Sequence, residues 1–94
     1  MFKIHYSSQF KRDLKRIKKS SANDFRLLFE LVLLLESGGK EKIPAKHKAH
    51  TLKGNYKGYY ELHVLPDLLL IWKQNNKEKI ISLTRAGSHS ELFK

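Results

Sequence analysis

Apolar residues in the first half of the chain recur with helical spacing. Residues 2–6 alternate between apolar and polar side chains, which predicts a short strand. Ser7 or Ser8 is then suited to cap a helix. The apolar positions of this first helix are spaced at i, i+4 and i+7 and form one stripe: Phe10, Leu14 and Ile17.

A second helix is predicted from Ser21 to about Glu36. Ser21 followed by Asp24 matches an N-terminal cap, and Gly38-Gly39 is a stop signal. The apolar positions give a broad face, which indicates that this helix lies across a core: Phe25, Leu28, Leu31, Val32 and Leu35. Because the connection between the two helices is short, we expect an antiparallel helical hairpin.

Beyond a basic loop over residues 40–49, the pattern changes to short strands and turns. Three runs predict consecutive strands: 58–65, 68–73 and 79–85. Turns are predicted between them at Pro66-Asp67 and Asn75-Asn76. The run at 68–73 is apolar on both faces, which predicts a central strand. Two further short elements are candidates: an edge strand at 52–56 and a final turn or helix at 88–93.

The predicted order is β-α-α-β-β-β-β, an α+β class with an N-terminal helical hairpin packed on a small, antiparallel-dominated sheet. With 94 residues, we expect one domain over residues 1–94. The lack of cysteine excludes disulfides and Cys-based zinc sites. No signal-peptide pattern opens the chain, and the apolar cluster at 27–35 is short for a membrane span, so we expect a cytoplasmic protein.

The chain carries a formal charge of +10, from 19 Lys and Arg against 9 Asp and Glu. Such a surface favours a polyanionic partner, nucleic acid above all. An anionic membrane, an acidic protein and a merely soluble basic surface are the alternatives. The polar side of the first helix concentrates part of this charge, and we expect it to contact RNA: Lys11, Arg12, Lys15 and Arg16.

Four of the five histidines lie between residues 47 and 89. Three of them lie near turns or strand ends, where they could converge with Asp67: His50, His63 and His89. Histidine accepts and donates protons near neutral pH, and RNA supplies its own nucleophile, the ribose 2′-hydroxyl. With Arg85 to stabilise negative charge on the phosphate, this set meets the needs of RNA cleavage without metal.

Each of these residues also has a purely structural interpretation. His63 could be a hydrogen-bonded residue at the edge of the core, and His50 a surface residue. Asp67 could serve only the turn, His89 could cap a helix end, and Arg85 could be a salt-bridge partner. Zinc is a further alternative, because His and Asp are suitable ligands. No tight His-x-x-x-His pair exists, however, and the many cations disfavour a bound metal.

The aromatic residues divide between core and RNA contact. Tyr56, Tyr59 and Tyr60 are able to stack on bases, although strand aromatics more often form core or cross-strand pairs. Trp72 is expected in the core. Phe93, next to the last residue, is expected to pack on the sheet or to meet a base.

Three motifs stand out in the C-terminal half: L-x-G-x-x-x-G at 52–58, H-V-x-P-D at 63–67 and R-x-G-x-H-x-x-L-F at 85–93. Together they resemble the YafQ branch of the RelE/ParE toxin superfamily. The helical half resembles this branch in pattern and size. The resemblance therefore spans essentially the whole chain and implies a RelE-like fold.

The resemblance also implies a toxin of a type II toxin–antitoxin pair. Such toxins enter the ribosomal A site and cut mRNA without a metal or other cofactor. The products carry a 2′,3′-cyclic phosphate or its 3′-phosphate and a free 5′-hydroxyl. The expected partners are mRNA, 30S ribosomal RNA and an acidic antitoxin encoded beside the toxin. We expect a monomer as free toxin and a hetero-oligomer with the antitoxin.

By the same resemblance, His89 is the expected general acid. His50 or His63 is the expected base, with Asp67 assisting. The remaining expected contacts to phosphate, bases and RNA backbone are made by Arg85, Phe93, Lys53 and Lys57.

Two other functions stay open on the sequence alone. The ParE branch has the same fold but inhibits DNA gyrase instead of cutting RNA. A basic RNA-binding module without activity is the second alternative. Converging His and Asp side chains discriminate between these functions, because neither a gyrase inhibitor nor a passive binder needs them.

Overall fold

The first two segments form the expected pair of helices. The computed structural model describes residues 1–93, with α1 at Ser8–Ser20 and α2 at Ala22–Gly38. Ser7 caps α1 by accepting a hydrogen bond from the backbone N of Phe10 at 2.9 Å. Ser21 alone separates the helices and caps α2 through Asp24 N at 3.1 Å. Both predicted caps are therefore confirmed.

The second half forms a sheet that also takes in the N-terminal strand. Its strands are β1 Lys3–Tyr6, β2 His50–Thr51, β3 Tyr60–Leu65, β4 Leu68–Asn75 and β5 Ile80–Gly87. Their order is β1-β5-β4-β3-β2, so β4 is central as predicted. All neighbours are antiparallel except β1, which pairs with β5 in parallel.

The helical hairpin covers one face of this sheet and forms the main core with it. Phe10 of α1 and Leu28 of α2 pack in one buried cluster with Leu62, Trp72 and Leu83 of the sheet. Trp72 is fully buried, which confirms its predicted place in the core. Among residues 1–93, no helix has both the length and the apolar character that crossing a membrane requires.

The opposite face of the sheet carries a smaller apolar cluster and stays partly open. Leu69 and Ile71 of β4 are buried there, under Leu92 of the short helix α3, His89–Leu92. Tyr56 and Tyr59 pack at the margin of this cluster. Polar side chains on this face are therefore available to a ligand.

Two sequence predictions on the sheet are wrong. The edge strand is His50–Thr51, paired with β3, whereas Gly54–Tyr56 forms a 3₁₀ turn. Gly54 has a φ of 66°, which bends the chain away from an extended path. The hairpin turn predicted at Asn75-Asn76 lies at 76–79 instead, because β4 continues through Asn75. The loop is four residues long, and Asn75 closes it by accepting from Glu78 N at 2.9 Å.

Candidate active site

The register of the sheet places several polar residues on its open face. His50 of β2 lies opposite Glu61 of β3, Glu61 opposite Ile71, and Ile71 opposite Arg85 of β5. Directly opposed residues share a face of a sheet, and so do residues two apart on one strand. His50, Glu61 and Arg85 therefore share a face with His63.

Three predicted histidines form a line on this face. The ring centroids of His50 and His63 are 6.4 Å apart, and those of His63 and His89 are 5.9 Å apart. His89 reaches this position because β5 ends at Gly87 and Ser88 immediately caps α3. The structure thus brings together side chains from β2, β3 and α3.

Asp67 fixes His89 in this line. It lies in the β3–β4 turn, and its Oδ1 accepts from the backbone N of His89 at 2.9 Å. The same oxygen lies 2.8 Å from His89 Nδ1. These bonds, the backbone one first, hold the pKa of Asp67 below its ordinary value. Since an ionised carboxylate only accepts, Nδ1 carries the hydrogen and Nε2 of His89 is the nitrogen left for proton transfer.

Glu61 is a site residue that the sequence prediction missed. Its side chain is only 7% exposed, and Oε1 lies 3.5 Å from His50 Nε2 and 3.7 Å from His63 Nε2. The nearly buried carboxylate of Glu61 therefore lies next to the Nε2 atoms of both histidines. The signal was present in the alternation of β3, which puts position 61 on the same face as His63.

The loop before β2 fixes the ring of His50. Its Nδ1 lies 2.7 Å from the carbonyl oxygen of Lys48, and a carbonyl only accepts. Nδ1 therefore carries a hydrogen, and Nε2 is the ring nitrogen that faces Glu61. Lys48 adopts a left-handed conformation with a φ of 51°. His47 binds the same loop to β3, because its Nδ1 lies 2.7 Å from the carbonyl oxygen of His63.

Arg85 lies on the same face, but its guanidinium is bound to α1. Its Nε donates to Oδ2 of Asp13 at 2.9 Å, and its Nη2 lies 3.4 Å from Oδ1. This hydrogen bond raises the pKa of Arg85 above its ordinary value. The structural alternative for Arg85, a salt-bridge partner, is therefore confirmed, and its contact to phosphate stays a prediction. Asp13 itself was missed by the sequence prediction.

Phe93 extends the line of histidines with an aromatic surface. Its ring lies 6.3 Å from that of His89 and meets Tyr56 edge-on at 5.5 Å. Tyr56 in turn packs edge-on against Tyr59 at 5.7 Å. Phe93 is 41% exposed, so it both docks and keeps a face open to a base.

Comparison with known proteins assigns this arrangement to a family. Residues 2–94 match the model of a bacterial toxin of type II toxin–antitoxin systems, YafQ. This chain belongs to the YafQ family. An Escherichia coli K12 relative called mRNA interferase toxin YafQ is 36% identical over 90 residues, which covers 96% of this chain and 94% of the relative.

Two solved structures are similar to this YafQ-family toxin over nearly its whole length. The E. coli DinJ–YafQ complex contains a chain 36% identical to it, with a TM-score of 0.87 and full coverage of both chains. A metal-bound toxin from Helicobacter pylori is 40% identical, with a TM-score of 0.85, and the match covers 99% of this chain and 100% of that one. The expected RelE-like α+β fold is confirmed.

The grouping of potential ligand side chains bears on whether this toxin holds a metal ion. Within residues 1–93, no group of three or more His, Cys, Asp or Glu side chains has the arrangement to hold a metal ion. The H. pylori relative shows that a toxin of similar sequence was crystallised with metal. Metal-independent cleavage by the present YafQ-family toxin stays a prediction.

The basic residues predicted to hold RNA differ in how they are engaged. Lys53 and Lys57 are exposed and flank the 3₁₀ turn that carries Tyr56. Three others are exposed on α1: Lys11, Arg12 and Lys15. Arg16 differs from them because it is bound to Asp13 and Glu91. The structure thus gives Arg16 protein partners that the sequence prediction did not foresee.

Proposed function

We propose that this YafQ-family toxin is a ribosome-dependent endoribonuclease that cleaves mRNA through the line His50–Glu61–His63–His89. Its E. coli relative carries the name mRNA interferase toxin, and enzyme activity of this kind follows for the family member described here. The observation that carries the proposal is the pairing of a shared buried carboxylate at one end of the line with Asp67-bound His89 at the other.

The reaction is a transfer of the phosphate within the RNA. The ribose 2′-oxygen attacks the adjacent phosphorus, the bond from phosphorus to the 5′-oxygen breaks, and a 2′,3′-cyclic phosphate forms. A base takes the proton of the 2′-hydroxyl and an acid gives a proton to the leaving 5′-oxygen. No oxidant, metal or cofactor is needed for this balance.

The geometry suggests how the two proton transfers are divided. His89 is the general acid, with Nε2 free to act because Asp67 holds Nδ1. The base is His50 or His63, and Glu61 contacts both of them. Because Glu61 lies within contact distance of both rings, we assign the role of base to the pair of histidines as a whole.

The flanking residues supply substrate contacts. Phe93 offers a stacking surface for a base beside His89. Arg85 has five donor hydrogens, and its pairing with Asp13 through Nε and Nη2 leaves Nη1 for a phosphate oxygen. Lys53 and Lys57 lie on either side of the 3₁₀ turn that carries Tyr56, and there they contact the RNA backbone.

The partners follow from the charge and from the solved relatives. The E. coli YafQ has been crystallised with the antitoxin DinJ, and we propose that a cognate antitoxin binds this chain as well. With a net charge of +10, the chain favours an acidic antitoxin. Activity on ribosome-bound mRNA places the toxin in the cytoplasm, acting as a monomer until the antitoxin binds.

Mapping of mRNA ends in a translating extract tests the proposal. The wild-type toxin should produce cleavage within codons and 5′-hydroxyl ends, and a chelator selective for transition metals should leave the rate unchanged. His89→Ala should lower the rate by at least about 100-fold while ribosome binding persists. The matched control is His5→Ala on β1, which removes an exposed histidine away from the line.

Intact mRNA at toxin concentrations that block translation would contradict the proposal. Inhibition of gyrase supercoiling under those conditions would instead establish the ParE-like function. Normal cleavage by His89→Ala would leave the nuclease in place but overturn the assignment of the acid.

A further inference from the structure

Asp13 is the most completely buried charged side chain of the described residues, and it belongs to α1 rather than to the line of histidines. It is 0% exposed. Its carboxylate accepts from Arg85 Nε at 2.9 Å, from the backbone N of Ala86 at 3.0 Å and from Arg16 Nη1 at 2.8 Å. These donors hold the carboxylate of Asp13 in one orientation, because its lone pairs have assigned partners.

Arg16 continues the contact from Asp13 to the end of the chain. Besides Asp13, it donates from Nη2 to the carbonyl oxygen of Ala86 at 2.9 Å and from Nε to Glu91 Oε2 at 3.0 Å. The other oxygen of Glu91 accepts from Ser88 N at 2.8 Å. One guanidinium therefore joins α1, β5 and α3.

Gly87 makes room for this network. Its φ is 155°, and a Cβ at this position would lie 2.8 Å from Arg16 Nη2 and 2.8 Å from Glu91 Oε1. Arg16 Nη2 and Glu91 Oε1 therefore lie directly against the backbone where β5 meets α3. Only glycine permits this approach without displacement of the two side chains.

The position of α3 depends on such contacts. It has only four residues, and an isolated helix of that length is unstable in water. Among the described residues it is held by the capping box of Ser88 with Glu91, by burial of Leu92, by the bonds of His89 to Asp67 and by the ion pair of Glu91 with Arg16. The ion pair joins α3 to α1, which lies on the other side of β5 from the histidines.

We infer that Asp13 and Arg16 of α1 are positioning residues for RNA cleavage, Asp13 by orienting Arg85 and Arg16 by holding α3 through Glu91. This inference rests on the proposed nuclease function. It gives Arg16 a role different from the RNA contact that its place among the basic residues of α1 suggests. Through α3, Arg16 sets the location of both His89 and Phe93.

The two roles for Arg16 predict opposite effects on the rate of cleavage when Glu91 is replaced. Glu91→Gln keeps an oxygen for Ser88 N but replaces the charged oxygen that faces Arg16. If Arg16 only binds RNA, this variant removes a competing carboxylate, raises the net charge and leaves cleavage equal or faster. If Arg16 positions α3, Glu91→Gln and Arg16→Ala both misplace His89 and slow the chemical step. A displacement of about 1 Å is enough to cost about 100-fold in rate.

The experiment measures single-turnover cleavage of ribosome-bound mRNA over a range of toxin concentrations. We expect Arg16→Ala and Glu91→Gln each to lower the rate at saturating toxin by about 10- to 100-fold, with the half-saturating concentration within about twofold of wild type. The double variant should be no slower than the slower single variant, because both changes break the same contact. Lys19→Ala, which removes an equal charge from an exposed site on α1 outside the group expected to contact RNA, should keep the saturated rate.

A second measurement is independent of cleavage. The rings of Tyr56 and Phe93 meet at 5.5 Å, so protons of the two rings should give a nuclear Overhauser effect in the wild type. We expect Arg16→Ala to lose that signal and to exchange the amide hydrogens of α3 faster, while Lys19→Ala keeps both. Far-UV circular dichroism checks that each variant is folded. Asp13→Asn, if folded, should lower the saturated rate with α3 retained.

The inference is overturned if Arg16→Ala keeps the saturated rate and the Tyr56–Phe93 signal, or if Glu91→Gln cleaves as fast as wild type. A change confined to the half-saturating concentration would assign Arg16 to RNA binding and overturn it as well. If the wild-type toxin cleaves no RNA, the proposed function fails. The nuclear Overhauser effect still decides whether Arg16 holds α3.

Discussion

Glu61 shows how burial converts an ordinary strand residue into a candidate for catalysis. Its carboxylate touches both His50 and His63. Glu61→Gln keeps the size of the side chain but removes its charge, so proton uptake by the histidines loses its support. We expect the single-turnover rate of cleavage to fall about 100-fold. Glu41→Gln, at an exposed position, is the matched control and should cleave normally.

The same change should leave the fold intact. A buried carboxylate loses hydration as well as gaining attraction from its partners, so the free energy of unfolding should change by only about 1 kcal/mol. Urea unfolding measures it. A normal cleavage rate in folded Glu61→Gln would remove Glu61 from the mechanism.

Asp67 and His89 give a prediction that depends on pH. Bonds from His89 lower the pKa of Asp67, so their stabilising effect is fully present above the ordinary carboxyl pKa of 3.8 and is lost as the pH falls through the lowered value. Carboxyl titration by ¹³C NMR should place Asp67 below 3.8 in the wild type. In His89→Ala the backbone bond remains, so the pKa should move only part of the way back to the ordinary value. An unmoved titration would show that the His89 side chain does not bind Asp67 in solution.

The chemistry-bearing residues were partly accessible from the sequence. His50, His63, Asp67 and His89 could be grouped because each type suits proton transfer and the motifs supported the grouping. Asp13 could not, since nothing local to α1 shows that its carboxylate meets Ala86 and Arg85, more than 70 positions away in the chain. Contacts of this kind depend on how a helix docks on a sheet.

The docking of α1 on β5 depends on Asp13, and this contact gives a prediction about stability. Burial opposes ionisation, yet bonds from Arg85, Ala86 and Arg16 outweigh it and hold the pKa of Asp13 below its ordinary value. The stabilisation is therefore present above about pH 4 and is lost as the pH falls through the lowered pKa. Asp13→Asn should lower the free energy of unfolding by about 2–4 kcal/mol at pH 7.

Urea unfolding at pH 7 and at pH 3 measures this difference. The gap between wild type and Asp13→Asn should narrow at the lower pH, because below its ordinary pKa the carboxyl of the unfolded chain takes up a proton more readily than that of the folded chain. Asp24→Asn on α2, which removes a carboxylate away from Arg85, serves as the control. An equal gap at both pH values would show that the bonds, rather than the charge, carry the stabilisation.

At the scale of elements, local signals in the sequence predicted where the helices start, but they did not predict which distant strands pair. The caps at Ser7 and Ser21 are encoded by the residues beside them, so both helix starts were predictable. The parallel pairing of β1 with β5 joins residues 3–6 to 80–83 and leaves no local trace. The two-residue strand β2 is too short for any alternation, so its place was misjudged by a few residues.

At the scale of the whole molecule, the sheet separates stability from chemistry. The helical hairpin buries one face, where Trp72 and Leu28 lie in the main core. The histidines occupy the other face, where α3, Leu52 and two tyrosines give partial cover. The single sheet therefore supplies a rigid support for a site that stays open to a polymer such as RNA. One domain over residues 1–94 stays a prediction.

The excess positive charge gives the last prediction, because it should act on binding and not on the chemical step. Ribosome binding that depends on phosphate contacts weakens as salt rises, with a log–log slope of roughly 0.7–0.9 per contact. A variant that replaces the exposed Lys11, Arg12 and Lys15 with glutamine should lower this slope by about 2 and raise the half-saturating toxin concentration. Its rate at saturation should stay within about twofold of wild type, in contrast to Arg16→Ala.

The control for this variant carries the same loss of charge elsewhere. Lys42, Lys77 and Lys79 replaced by glutamine remove three positive charges away from α1. If net charge alone governs binding, both triple variants should lower the salt slope equally, since each leaves the chain at +7 (+10 minus 3). If α1 contacts RNA, only the variant on α1 should lower the salt slope, because counterions are released only from the phosphates that the protein contacts. An equal slope in both would therefore contradict an RNA contact on α1 while leaving the line of histidines untouched.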